Sequence, residues 1–308
     1  MLESLSQKKH IVSLTIVACL SLLSHVSLLS AAEIVALKTS DIKPYSEAVE
    51  GFISTCNCTV TELNLQDMDR KDIKENILRL KPDAVLAIGT DALNRVLTLS
   101  GLPVFYTMAS PPDPGSAGPG KNIFGVSMDI RPETYLITMA RLLPDVKRIG
   151  LIYNRQNTGQ FVKDALAVSR FTRFEIIALE NSVPGRAPAL IESLKGKIDV
   201  FWILPDSSVI TSGTIETILL FSFQNHVPVV SYTKKHVKMG AVASLTVSPF
   251  DLGAQAGELA AIKLRNDLLE VPALSRPQKI ALSVNKKIAE KLGVRLSDAA
   301  LRDAGEVY

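Results

Sequence analysis

The segment "AVLAIGTDALNRVLTLSGLPVFYT", residues 84–107, contains one complete structural unit from which the rest of the chain can be read. Residues 84–88 form a continuous apolar run, short and bounded by polar residues, which reads as a buried strand. Gly89, Thr90 and Asp91 follow, small and polar residues of the kind that open a helix, and residues 92–99 carry helical spacing of apolar side chains. Residues 103–106 return as a strand. Strand, helix and strand in this order make a βαβ unit, whose two strands run parallel.

The same alternation extends in both directions. Upstream, strands at 34–37 and 60–65 alternate with helices at 45–55 and 71–80. After a strand at 123–126 the pattern begins again with a helix from Pro132, a favoured first-turn residue, to just before Pro144. Strands at 149–153, 174–178, 200–204 and 227–232 then alternate with helices at 159–169, 187–194 and 214–225. The tail adds strands at 241–247 and 279–284 and helices at 251–265 and 285–292. Two successive α/β units predict two Rossmann-like lobes, each a parallel sheet with helices on both faces.

Residues 1–32 are of another kind. Lys8 and Lys9 precede an apolar stretch over 11–29 that ends in Ser30, Ala31 and Ala32, the pattern of a signal peptide cleaved after Ala32. The expected location is therefore periplasmic. Residues 16–19 resemble a lipobox, but the chain stays hydrophobic after Cys19, which favours secretion over lipid anchoring there. In an oxidising compartment Cys56 and Cys58 fit either a disulfide or two separate thiols.

Several function classes are excluded by what the chain contains. A formal charge of +3 on 308 residues, without a clustered basic face, argues against nucleic-acid binding. The mature chain offers only His226 and His236 beside the two cysteines, in no structural zinc spacing, so neither metal nor cofactor is expected. Residues 115–121 have the Gly-x4-Gly-Lys spacing of a P-loop. However, Asn122 replaces the magnesium-binding Ser or Thr, a strand follows in place of a helix, and Pro119 removes an N–H from the cradle. The sequence carries no serine-nucleophile elbow, zinc-protease helix or dinucleotide fingerprint, so no catalytic residue is assigned.

Ligands of open parallel sheets bind beyond the carboxyl ends of the strands. Here those ends carry Thr39-Ser40, Gly89-Thr90-Asp91, residues 107–110, residues 154–158, Asp206-Ser207-Ser208 and residues 231–233. Such residues cap helices, and the free N–H groups beside them can hold a carboxylate. Two facing rows of them predict a cleft, with Ser40 among its candidate contacts. Trp202 reads as core.

Taken in order, "AIGTDALNRVLTLSGLPVFYTMASPPDP" (87–114), "NIFGVS" (122–127), "LLPDVKRIGLIYN" (142–154), "ILPDSSVI" (203–210), "VPVVSYT" (227–233), "SPFDLGAQAGELAAIKL" (248–264) and "LSVNKKIAEKLGV" (282–294) resemble the substrate-binding proteins of ABC transporters that include tryptophan- and other amino-acid-binding members. The resemblance implies the type I periplasmic-binding fold, two lobes joined by three hinge crossovers. Lobe 1 would comprise 33–125 with about 247–268, and lobe 2 would comprise 126–246 with about 277–308. It also implies ligand contacts at Gly89, Thr90, Asp91, Met108, Ala109, Asn154, Asp206, Ser207 and Tyr232. Thr90 would suit a ligand carboxylate and Asp91 or Asp206 an amino group. The compact segment 113–121 departs from the longer one usual in that family.

The expected function is thus an extracytoplasmic solute-binding protein, monomeric, that takes a small molecule such as an amino acid or similar carboxylate between its lobes and delivers it to an ABC permease. A ligand-sensing module docking on a membrane receptor or kinase is the alternative reading, and an extracytoplasmic enzyme the third.

Overall fold

The computed structural model describes residues 31–69, 71–99, 101–112, 122–183, 185–265 and 269–308. Most of the expected signal segment, Cys19 and the loop 113–121 lie outside the described residues.

The first half builds β1 (Ala32–Lys38), α1 (Lys43–Cys56), β2 (Cys58–Asn64), α2 (Ile73–Arg79), β3 (Ala84–Ile88), α3 (Thr90–Val96), β4 (Val104–Thr107) and β5 (Ile123–Val126). There follow α4 (Pro132–Leu142), β6 (Arg148–Tyr153), α5 (Arg155–Ser169), β7 (Glu175–Glu180), α6 (Ala187–Glu192), β8 (Val200–Trp202), α7 (Ser212–Asn225), β9 (Val229–Ser231), α8 (Lys234–Met239) and β10 (Ala243–Thr246). The chain ends with α9 (Pro249–Arg265), β11 (Leu274–Ser275), β12 (Ala281–Val284), α10 (Lys286–Leu292), α11 (Asp298–Arg302) and β13 (Glu306–Val307).

Two sheets result. One has the order β11-β5-β4-β3-β1-β2, and all its pairs are parallel. The other has the order β13-β12-β10-β9-β8-β6-β7, and its parallel run is interrupted once, where β12 pairs antiparallel with β10. The tail strand read from sequence is therefore present but reversed. No periodicity signals direction, and β12 enters from the first sheet's side of the chain path. The chain passes between the sheets at 127–131, 247–248 and 276–280, because α9 and β11 return to the first sheet before β12 rejoins the second.

The cores follow from the strand pleat, which sends alternate side chains to opposite faces. In the first sheet Ile34, Ala36, Leu86, Ile88 and Phe105 pack with α1 and α9, while Val35, Leu37, Val85, Ala87 and Tyr106 face α2 and α3. In the second, Ile149, Leu151, Val200 and Trp202 pack with α4 and α5, and Ile152, Phe201 and Val229 with α6 and α7. Trp202 is fully buried, as its expected place in the core requires. A disulfide joins Cys56, the last residue of α1, to Cys58, the first of β2, across Asn57 in the left-handed conformation. Of the two states compatible with the sequence, the structure shows the bonded one. Among the described residues no helix is long and apolar enough to cross a membrane.

Candidate functional site

The strand ends of the first sheet are drawn level by the ladder. Thr39 donates its N–H to the Ile88 carbonyl (3.0 Å) and Gly89 donates to Thr107 (3.2 Å). Gly89 has φ of +92°, and a Cβ there would run into the Thr39 side chain and the Tyr45 hydroxyl, so only glycine fits between strand and helix. Thr39 Oγ1 accepts from the Ala92 N–H (3.0 Å) and so caps α3 from the neighbouring strand. Thr90 Oγ1 accepts from the Ser110 N–H (3.1 Å), tying the β3 end to the β4 end. Met108 sits at φ +54°, an uncommon conformation for a side-chain-bearing residue, and turns the chain after β4. Ala109 is buried, Ser40 half-buried and Asp91 exposed.

On the second sheet Asp206 is the organising group. It is 1% exposed, and its carboxylate accepts from the Asn154 N–H (2.9 Å), Asn157 Nδ2 (3.0 Å), Thr158 Oγ1 (2.8 Å), and the N–H (3.2 Å) and Oγ (2.7 Å) of Ser208. Burial alone would push its pKa up, but the bonds from Asn157, Asn154, Ser208 and Thr158 outweigh that and hold it below the ordinary carboxylate value. The carboxylate that the sequence offers, with Asp91, for a ligand's amino group is thus bonded extensively within the protein. Its acceptor sites are taken by the protein, and it positions the loop after β8 against the start of α5. Asn154 caps α5, its Oδ1 accepting from the Gln156 N–H (2.9 Å). Ser207 is exposed beside it. Burial raises the Tyr232 pKa, with the nearby Asp206 charge adding to it. The Tyr232 ring meets His236 edge-on at 5.4 Å, and His236 Nδ1 is 2.6 Å from Ser231 Oγ.

The predicted residues thus fall into two groups, one on each sheet's carboxyl edge, and among the described residues no hydrogen bond or ion pair joins the groups. Three cavities open along these edges. One of about 610 Å³ lies beside Thr39, Asp91, Asn94 and Arg95 on the first sheet. One of about 490 Å³ lies beside Asn154, Asn181, Ser208 and Thr211 on the second. Between them in chain terms, a cavity of about 600 Å³ is lined by the first crossing (Asp129, Arg131), the start of α4 (Glu133), α5 (Asn157, Phe161, Asp164), Pro205 and, from the third crossing, Arg276. In the sequence, residues 154–158 stand out as a polar strand end, but nothing there singles out Asn157 or gives Arg131, Glu133, Phe161 and Arg276 a role. An Arg next to a proline at 131 and again at 276 was the available signal, and alone it says nothing of a shared cavity.

Two mostly parallel sheets exchanging chain three times, with polar carboxyl edges, form the type I periplasmic-binding fold. The chain belongs to the ABC transporter substrate binding protein family, whose model matches residues 67–308. It is 28% identical over 190 residues, 58% of this chain, to the tyrosine-binding protein of Clostridioides difficile strain R20291, and the match spans only 54% of that relative. Among solved structures it is similar to the ligand-free, open structure of CD0873, a substrate binding protein with adhesive properties from Clostridium difficile. There the TM-score is 0.73 and identity 21%, over 90% of this chain and 99% of that one. It is also similar to an ABC domain in complex with L-Trp from Streptococcus pneumonia, with TM-score 0.60 and identity 20%, over 91% of this chain and all of the other. At these identities the structural likeness establishes the fold.

Proposed function

We propose that the protein captures a free amino acid or similar small carboxylate between two lobes and passes it to the permease of an ABC importer. The lobes are the two sheets with their helices, 33–125 with about 247–268 and 126–246 with about 277–308. The observation that carries the reading is the membership of residues 67–308 in a substrate-binding family. Amino-acid-binding relatives and two polar strand-end rows, one per sheet, support it. It works outside the cytoplasm as a monomer and performs no chemistry. Ser40, Gly89, Thr90, Asp91, Met108 and Ala109 supply one jaw and Asn154, Ser207 and Tyr232 the other, with Asp206 holding the second jaw in shape. Binding is by hinge closure, which a ligand drives only by the extra contacts it makes in the closed state.

A thermal-shift screen of the purified protein against the twenty amino acids tests this. A ligand at about 100 times its Kd stabilises by roughly 2.7 kcal/mol, or about 4–5 °C in a chain of this size. The expected outcome is such a shift with one or a few amino acids. No shift with any of them at millimolar concentration would remove the ligand class.

A further inference from the structure

The cavity at the crossings holds an unusual set of charges for a place outside the predicted strand-end contacts. Its lining includes three carboxylates, Asp129, Glu133 and Asp164, and two guanidiniums, Arg131 and Arg276. Asp129 accepts from Ser127 Oγ (2.9 Å) and Asp164 from Gln160 Nε2 (2.8 Å). Glu133 differs: its Oε2 is shielded from solvent and, among the described residues, has no hydrogen-bond partner, an unfavourable state for a carboxylate oxygen. Neither guanidinium enters an ion pair among the described residues, whereas Arg141, Arg148, Arg155 and Arg295 all do. The backbone at Arg276 is fixed, because Gln255 on α9 donates Nε2 to the Arg276 carbonyl (2.7 Å) and accepts from the Gln278 N–H (3.1 Å). The apolar wall is Phe161, whose ring meets Trp202 edge-on at 5.4 Å and Tyr135 at 6.3 Å.

We propose that this cavity reads the charged ends of a free α-amino acid, the carboxylate on Arg131 and Arg276 and the ammonium on Glu133, with the side chain against Phe161. Guanidinium forks match a carboxylate and an ammonium matches the Glu133 carboxylate, so one zwitterion would pair with three groups that enter no ion pair among the described residues. Arg131 and Arg276 stand on the first and third crossings, so a ligand bound to both ties together the segments about which the lobes would move. The inference rests on the reading of the chain as an amino-acid-binding protein and adds the residues that recognise the zwitterion.

The test is calorimetric titration of the twenty amino acids into the wild-type protein and into Arg131→Gln, Arg276→Gln and Glu133→Gln. Each substitution is expected to weaken the bound amino acid by at least about tenfold, with the melting temperature of the free protein moved by no more than about 2 °C, since exposed or half-buried unpaired groups contribute little to stability. Glu133→Gln should leave the affinity for the deaminated analogue unchanged, and the two Arg variants that for the decarboxylated amine. If the wild type binds an amino acid and all three variants bind it equally, the cavity is not the recognition site and the proposed function stands without it. A lowered melting temperature with undiminished binding would assign the three groups to internal pairing and overturn the inference. A wild-type protein that binds none of the twenty would sink both readings.

Discussion

Asp206 shows how a strand-end carboxylate singled out in the sequence takes on a structural role in three dimensions. A strand-end carboxylate that caps and one that grips a ligand need the same residue type at the same position, and only the donors around it separate the two. Five donors converge on Asp206, and replacing it by Ala leaves them without an acceptor inside a buried loop. Asp206→Ala should therefore destabilise the free protein by roughly 2–4 kcal/mol, measured by denaturant unfolding, in contrast to a ligand contact whose loss spares the free state. The pH dependence has a fixed sign. A carboxyl whose folded pKa lies below its unfolded value stabilises fully above about pH 4, and that contribution is lost as pH falls through the folded value. The Asp206→Ala variant should lose less stability than wild type on acidification from pH 5 downward. Thr90 was legible as a polar strand-end residue, but its bond to the Ser110 N–H joins the ends of two strands twenty residues apart and was not. The charged cavity was not legible, because its residues come from 129, 161 and 276 and meet only in three dimensions.

Among elements, the pair α1 and α9 holds the returning tail to the first sheet. A Cβ at Gly51 would overlap the Phe250 carbonyl, and one at Gly253 the Ala48 carbonyl, so the two helix backbones touch where these glycines lie. Thr55 Oγ1 donates across the same contact to the Ala254 carbonyl (2.6 Å). Gly253→Ala should cost roughly 1–3 kcal/mol or more, despite Ala's better helix propensity, because the neighbour in the way is backbone; a lowered midpoint in thermal unfolding checks this. An unchanged or raised midpoint would mean that the helices separate easily. The helix at 251–265 was legible from its 3.6-residue pattern, but its partner was not. The two-residue β11 and the six-residue α8 are too short to show a period, and the antiparallel turn of β12 is set by the long path through α9.

For the whole molecule, the two-sheet α/β architecture was legible because buried parallel strands are continuous apolar runs and each recurs with a helix between. The assignment to a ligand-capturing family rests on ordered motifs across the chain, and the model match over 67–308 agrees with it. The proposed function implies motion: two lobes joined by the three crossings would close only if the ligand touches both sides or the crossings themselves. Small-angle X-ray scattering of the protein, free and saturated with whichever amino acid raises its melting temperature most, measures that closure. Capture by hinge motion requires a smaller radius of gyration in the bound state, and an unchanged radius at full saturation would contradict it.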